Sequence, residues 1–169
     1  MKKMNLGRFI SLGGILTAVT VLFQSAPVFL PVIGMTLSPL STLPIAIAAV
    51  TNISLGLTVF ITSAVILTFI SMEETMILLF TTGLLGIVIG TLLYRKNILI
   101  SILSSTLALS LGMLCITYII GVSGFVDLAS SLSTFIIYIL FFSFSLIYSS
   151  IWNICFMKFM NYLIKIKLS

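Results

Sequence analysis

The chain has 169 residues, 60% of them apolar and 7% charged, with eight basic and three acidic side chains and a mean hydropathy of +1.37. A soluble domain is about 25% charged, so a water-soluble globular fold is excluded. There is no His, the two Cys lie far apart inside apolar runs, and no Gly is followed directly by Lys. Metal chemistry, a disulfide framework and a Walker A loop are therefore not expected.

Four stretches carry no Asp, Glu, Lys or Arg: Phe9 to Met72, Thr75 to Tyr94, Asn97 to Val126 and Leu128 to Met157. Each reaches the roughly 20 residues that cross a bilayer as helix. They are continuously apolar rather than alternating, which excludes barrel strands and leaves helices as the spanning structure. The expected fold is an all-α, polytopic integral membrane protein, a single transmembrane helical domain over 1–169.

Lys2, Lys3 and Arg8 precede the first apolar stretch in the manner of a signal peptide. Gln24 and Pro27 are poor residues around the only candidate cut, near Ala26, so this stretch reads as an uncleaved first span, 9–25. Pro27, Pro31, Pro39 and Pro44 follow. Proline lacks an N–H and breaks helices, so residues 26–38 are expected to form a non-helical loop. Two short helices, 39–50 and 55–70, are expected next, with a turn over Thr51-Asn52-Ile53-Ser54. The remaining helices are expected at 76–94, 98–120 and 134–156.

Basic and acidic clusters alternate along the chain. Arg95–Lys96 and Lys158, Lys165, Lys167 are separated from Glu73–Glu74 and Asp127 by one span each. Six helices with both termini cytoplasmic put every basic residue inside and every acid outside, as the positive-inside rule requires. This is the pattern of a multi-pass protein of a bacterial plasma membrane, with the lipid bilayer as its first partner. The basic charge marks topology and does not point to nucleic acid.

Small residues recur at helical spacing. Gly7, Ser11, Gly14 and Ala18 share one face of the first helix. Gly83, Gly86 and Gly90 share one in the fourth, and Ser104, Ala108 and Gly112 one in the fifth. Such stripes let helix backbones approach closely; internal packing is expected for the fourth and fifth helices, and partner docking is open for the first. The last helix is crowded with Phe135, Tyr138, Phe141, Phe142, Phe144, Tyr148 and Trp152, bulk that faces lipid or fills the bundle. Trp152 reads as an interfacial anchor.

The three acids are the only anionic side chains. Ser71 lies three residues before Glu74, the spacing of a capping box opening the fourth helix; Glu73 also suits that positive helix end. Adjacent residues on a helix do not face each other, so a catalytic carboxylate dyad is not expected and the chain does not read as an enzyme. A ligand arriving from outside would meet Asp127, Glu73, Glu74 and the Pro-rich loop at one end of the bundle. An outer pocket there has Gln24 and the hydroxyls of Ser38, Ser41, Thr42 and Tyr138 to draw on. This inventory favours a neutral or cationic small molecule, with Asp127 the first residue expected to bind it.

The segment Arg8-Phe-Ile-Ser-Leu-Gly-Gly-Ile-Leu-Thr-Ala-Val resembles the first helix of S components, the substrate-binding subunits of energy-coupling factor (ECF) vitamin transporters. Ser38-Pro-Leu-Ser-Thr-Leu-Pro-Ile-Ala-Ile-Ala-Ala followed by Asn52-Ile-Ser-Leu-Gly is similar to their short second helix and turn. Thr82-Gly-Leu-Leu-Gly-Ile-Val-Ile-Gly-Thr-Leu-Leu-Tyr-Arg-Lys resembles their fourth. The likeness covers residues 8–97 and extends to the rest only in topology. It implies a binding protein without cofactors, which holds a small molecule in its outer half and relies on a coupling membrane subunit with separate ATPases. Gly14 and Ala18 match the family's docking positions, though the family usually has alanine where Gly14 stands. The same architecture also suits a non-transporting membrane protein, such as an assembly, immunity or stress factor.

Overall fold

The computed structural model describes residues 5–93, 97–121 and 133–168, with side chains as far as Tyr162. All regular structure among these residues is helical. Five helical runs are long and apolar enough to cross a membrane: Leu6–Phe29, Pro31–Thr51, Met72–Leu92, Ile98–Ile120 and Thr134–Tyr162. A shorter apolar helix, Ile53–Thr68, lies between the second and third.

Helix α1 (Leu6–Phe29) runs four residues beyond its expected end, with Pro27 inside its last turn. The chain breaks only at Leu30 (φ −133°, ψ 79°) and turns at once into α2 (Pro31–Leu37). A 3₁₀ turn over Ser38–Ser41 leads into α3 (Thr42–Thr51). The non-helical loop expected over 26–38 is therefore replaced by helix. The reason is where the prolines fall. Pro31 opens α2, Pro39 is the second residue of the 3₁₀ turn and Pro44 lies in the first turn of α3, positions near element starts where a missing N–H costs little; Pro27 alone stands inside a last turn, that of α1. Gly34 of α2 lies against the backbone at Ala26 and Pro27, with no room for a Cβ, so α2 folds back on the end of α1.

The turn expected over residues 51–54 contracts to one extended residue, Asn52 (φ −159°, ψ 132°). Its side-chain oxygen accepts from the Ser54 N–H at 2.9 Å and caps α4 (Ile53–Thr68). Helix α5 (Met72–Ile77) continues through a π-helical turn, Leu78–Thr82, into α6 (Gly83–Leu92). Helix α7 (Ile98–Cys115) likewise passes into a π-helical turn, Ile116–Ile120, ending at Gly121 with a positive φ of 76°. The last helix, α8 (Thr134–Leu168), is 35 residues long and outruns the expected 134–156.

Glycine decides the pairing of α6. A Cβ on Gly86 would lie 2.9 Å from the Thr42 carbonyl oxygen, and one on Gly90 would lie 2.5 Å from that of Ala46. Helix α6 therefore packs backbone to backbone on α3, the internal use expected of this stripe. Gly112 of α7 abuts the Phe80 carbonyl in the same way, whereas Ser104 and Ala108 are half-buried. Ala46, Leu85, Ile89, Leu93 and Phe156 close the end of the bundle that includes the α3–α4 junction. A second cluster around Ile45, Leu55, Val59, Leu67 and Leu78 joins α3, α4 and the π-helical turn after α5, with Phe9 and Leu12 of α1 against it.

Helices α7 and α8 are joined by side-chain polarity. Asn153 is fully buried. Its Oδ1 accepts from Ser101 Oγ at 2.6 Å, and its Nδ2 donates to the Ser149 carbonyl at 2.9 Å and more weakly to Ser105 Oγ at 3.4 Å. Phe69, Val32 and Ile119 are each about four-fifths exposed, as expected of side chains whose solvent is lipid.

Candidate functional site

Helix α1 shows two small-residue stripes on different faces. The stripe Gly7, Ser11, Gly14, Ala18 is exposed, and nothing lies within 4 Å of a Cβ built on Gly14. The inward stripe is Gly13, Thr17, Thr20 and Gln24, all buried. Gly13 meets Leu55 of α4, and Gln24 ends the stripe at the Glu73 end of the bundle.

Gln24 is fully buried, and both its amide nitrogen and its amide oxygen are hydrogen-bonded. Its Nε2 donates to Glu74 Oε2 at 2.8 Å. Its Oε1 accepts from Ser41 Oγ at 2.7 Å and from Thr82 Oγ1 at 2.9 Å. One carboxamide thus ties α1 to the 3₁₀ turn, to α5 and to the π-helical turn. The donor and acceptor assignment is chemically consistent: two hydroxyls meet the amide oxygen and a carboxylate meets its N–H₂.

Ser71 caps α5 as expected, its Oγ accepting from the Glu74 N–H at 3.3 Å. The reciprocal half of the capping box is not made. The Glu74 carboxyl turns to Gln24 instead, and the side chain is 8% exposed. Thr42 is buried beside this network, and its hydroxyl has no hydrogen-bond partner among the described residues.

A cavity of about 510 Å³ adjoins the network, within the few hundred to a thousand Å³ usual for small-molecule sites. Pro27, Val28, Met35, Ser38 and Pro39 form one side, Ser71, Glu73, Glu74, Ile77, Thr81 and Thr82 the next, and Leu109, Met113, Phe144 and Tyr148 the third. Phe144 and Tyr148, one turn apart on α8, stack with centroids 5.6 Å apart at 22°.

Of the site residues expected from sequence, Glu73, Glu74 and Ser38 line this cavity. Gln24 and Ser41 stand in the network behind Glu74, and Thr42 is buried near them. Tyr138 lies apart, half exposed, with its ring 6.4 Å from that of Tyr118. Asp127 lies outside the described residues. Tyr148, Phe144, Met113, Thr81 and Thr82 were missed. The i, i+4 aromatic pair on α8 was the available signal for two of them.

A second, smaller hollow of about 370 Å³ runs between α1 and α4. Gly13, Gly14, Thr17 and Ala18 lie on one bank, Thr58, Thr62 and Ile66 on the other. Gly14 and Ala18, the expected docking positions, thus lie on the outside of the bundle. Compared with protein families, curated proteins and solved structures, the chain matches none.

Proposed function

We propose that the protein is the membrane-embedded substrate-binding subunit of an ECF-type importer. It captures a small neutral or cationic vitamin-like molecule from outside the cell and relies on separate ATPase subunits. The observation that carries this reading is the cavity bordered by the buried Glu74 carboxylate. Under the six-span, N-in arrangement, α1, the run 31–51, α4, the run 72–92, the run 98–120 and α8 each cross once. The Glu73 end then faces outward and the Asn52 turn faces the cytoplasm. Helix α4, at 16 residues, is about 24 Å long by the helical rise and needs local thinning of the bilayer or cover from its neighbours.

Docking of a coupling subunit fits the exposed Gly14–Ala18 face of α1, where a partner backbone can approach closely. The test is purification in mild detergent from the native host. The expected result is copurification of a membrane coupling subunit and ATPases, with a small molecule released on denaturation and identified by mass spectrometry. A protein that purifies alone and releases nothing would overturn the proposal and favour the non-transporting reading.

A further inference from the structure

The Glu74 carboxyl is incompletely partnered in either protonation state. Its Oε2 accepts from Gln24, while its Oε1 has no hydrogen-bond partner among the described residues. Gln24 donates to Oε2 alone, and its oxygen is taken by Ser41 and Thr82. Ionised, Glu74 is a buried anion facing one neutral donor. Protonated, it carries an O–H with nothing to receive it. The two described basic side chains give no help: Arg8 lies in the first turn of α1, sixteen residues and about 24 Å of helix from Gln24, and Lys158 lies on α8 beyond Phe156 in the opposite cluster. A buried charge without a counter-charge is costly in lipid surroundings, and a glutamine at position 74 would serve a purely structural bond to Gln24 equally well.

The cavity supplies the missing place for a counter-charge. Glu74 lines it together with the exposed Glu73 and with Phe144, Tyr148 and Met113. Carboxylates and aromatic rings lining one void suit a cation with an apolar body, through charge-assisted hydrogen bonds and cation–π contact.

We infer that this cavity selects an organic cation of the amine or amidine class, with Glu74 as its counter-ion and Gln24 as the residue that orients Glu74. The inference rests on reading the cavity as a ligand site, and narrows the neutral-or-cationic class to the cation.

Three near-isosteric probes test it: benzamidine, benzamide and benzoate, cationic, neutral and anionic at pH 7. Binding is measured by calorimetry on the purified protein in nanodiscs, without any partner. The expected result is at least tenfold tighter binding of benzamidine than of benzamide, and no binding of benzoate. Glu74→Gln, which keeps an acceptor for Gln24, is expected to bring benzamidine down to the level of benzamide. Glu73→Gln changes an exposed side chain, leaves folding aside, and is expected to weaken benzamidine alone by severalfold. Equal binding of the three probes, preference for benzoate, preference surviving in Glu74→Gln, or no binding of any probe at millimolar concentration would each overturn the inference. The assay separates this from the transport proposal. Cation preference in a protein that recruits no ATPase leaves the site standing and removes the importer, while an assembled importer that prefers benzoate does the reverse.

Discussion

Replacing Gln24 by Leu keeps the side-chain size and removes every polar atom of the tie at Glu74. Three hydrogen bonds are lost at once, from Ser41, from Thr82 and to Glu74. Inside membranes a side-chain hydrogen bond contributes about 0.6 kcal/mol on average, and up to about 1.7. Three average bonds sum to about 2 kcal/mol on that scale. The partners do not lose equally. The Ser41 and Thr82 hydroxyls can rotate onto backbone carbonyls of their own turns, as Thr81 already does onto Ile77. Glu74 has no second donor, so its share is expected near the upper figure. The expected loss is about 2–3 kcal/mol, read by reversible unfolding in mixed micelles with increasing SDS. Ser150→Ala is the control, because the Ser150 hydroxyl bonds only the Leu146 carbonyl of its own helix; it is expected to change stability by less than about 0.5 kcal/mol. A Gln24→Leu protein as stable as the control would refute the account of Gln24 as the tie between α1 and α5.

Gly86→Leu and Gly90→Leu push side chains into the α3 backbone, and both are expected to abolish a monodisperse peak in size-exclusion chromatography. A Cβ on Gly14 meets nothing within 4 Å, so Gly14→Leu is expected to leave that peak unchanged while removing any copurifying membrane subunit; an aggregated Gly14→Leu protein would contradict the exposed placement of this face. Asn153→Ala removes the buried polar link between α7 and α8, and the same SDS titration should show a loss of about 1–2 kcal/mol. Thr51→Cys, in a protein with Cys115 and Cys155 replaced by Ala, spares the Asn52 cap and is expected to react with an impermeant maleimide only from the cytoplasmic side. Labelling from outside the cell would overturn the six-span arrangement.

The legibility of the sequence followed the kind of signal each element carried. The absence of charge over long runs announced helices long and apolar enough to cross a membrane, of which the described residues form five, and Ser71, Gly86 and Gly90 act locally as their spacing suggests. The Pro-rich stretch misled because a proline count is blind to register: prolines at the first positions of helices cost almost nothing. The two faces of α1 could not be ranked from apolar periodicity, which is silent here because lipid is as apolar as the bundle interior; the better marker is polarity, since the buried stripe is the one that carries Thr17, Thr20 and Gln24. The π-helical turn at Leu78–Thr82 left no signal in composition. The reach of Glu74 to Gln24, fifty residues away in the chain, is a property of the fold, so capping looked like a complete explanation of Glu74.

The two ends of the bundle are held by different forces. Around Gly86, Gly90 and Phe156 the helices touch through backbone and close-packed apolar side chains. At the Glu73 end, the α1–α2 junction, α5, α7 and α8 surround a void, and Gln24 supplies by hydrogen bonds part of the cohesion that contact supplies elsewhere. The π-helical turn fits this division. It leaves the Phe80 carbonyl against Gly112 of α7 and Thr82 against Gln24, so the segment carrying Glu74 is anchored to both α7 and α1. Substitutions at the close-packed end are therefore expected to act on folding. Conservative substitutions at the Glu73 end, such as Glu73→Gln and Glu74→Gln, act on what the void accepts, because the packing that assembles the helices lies elsewhere.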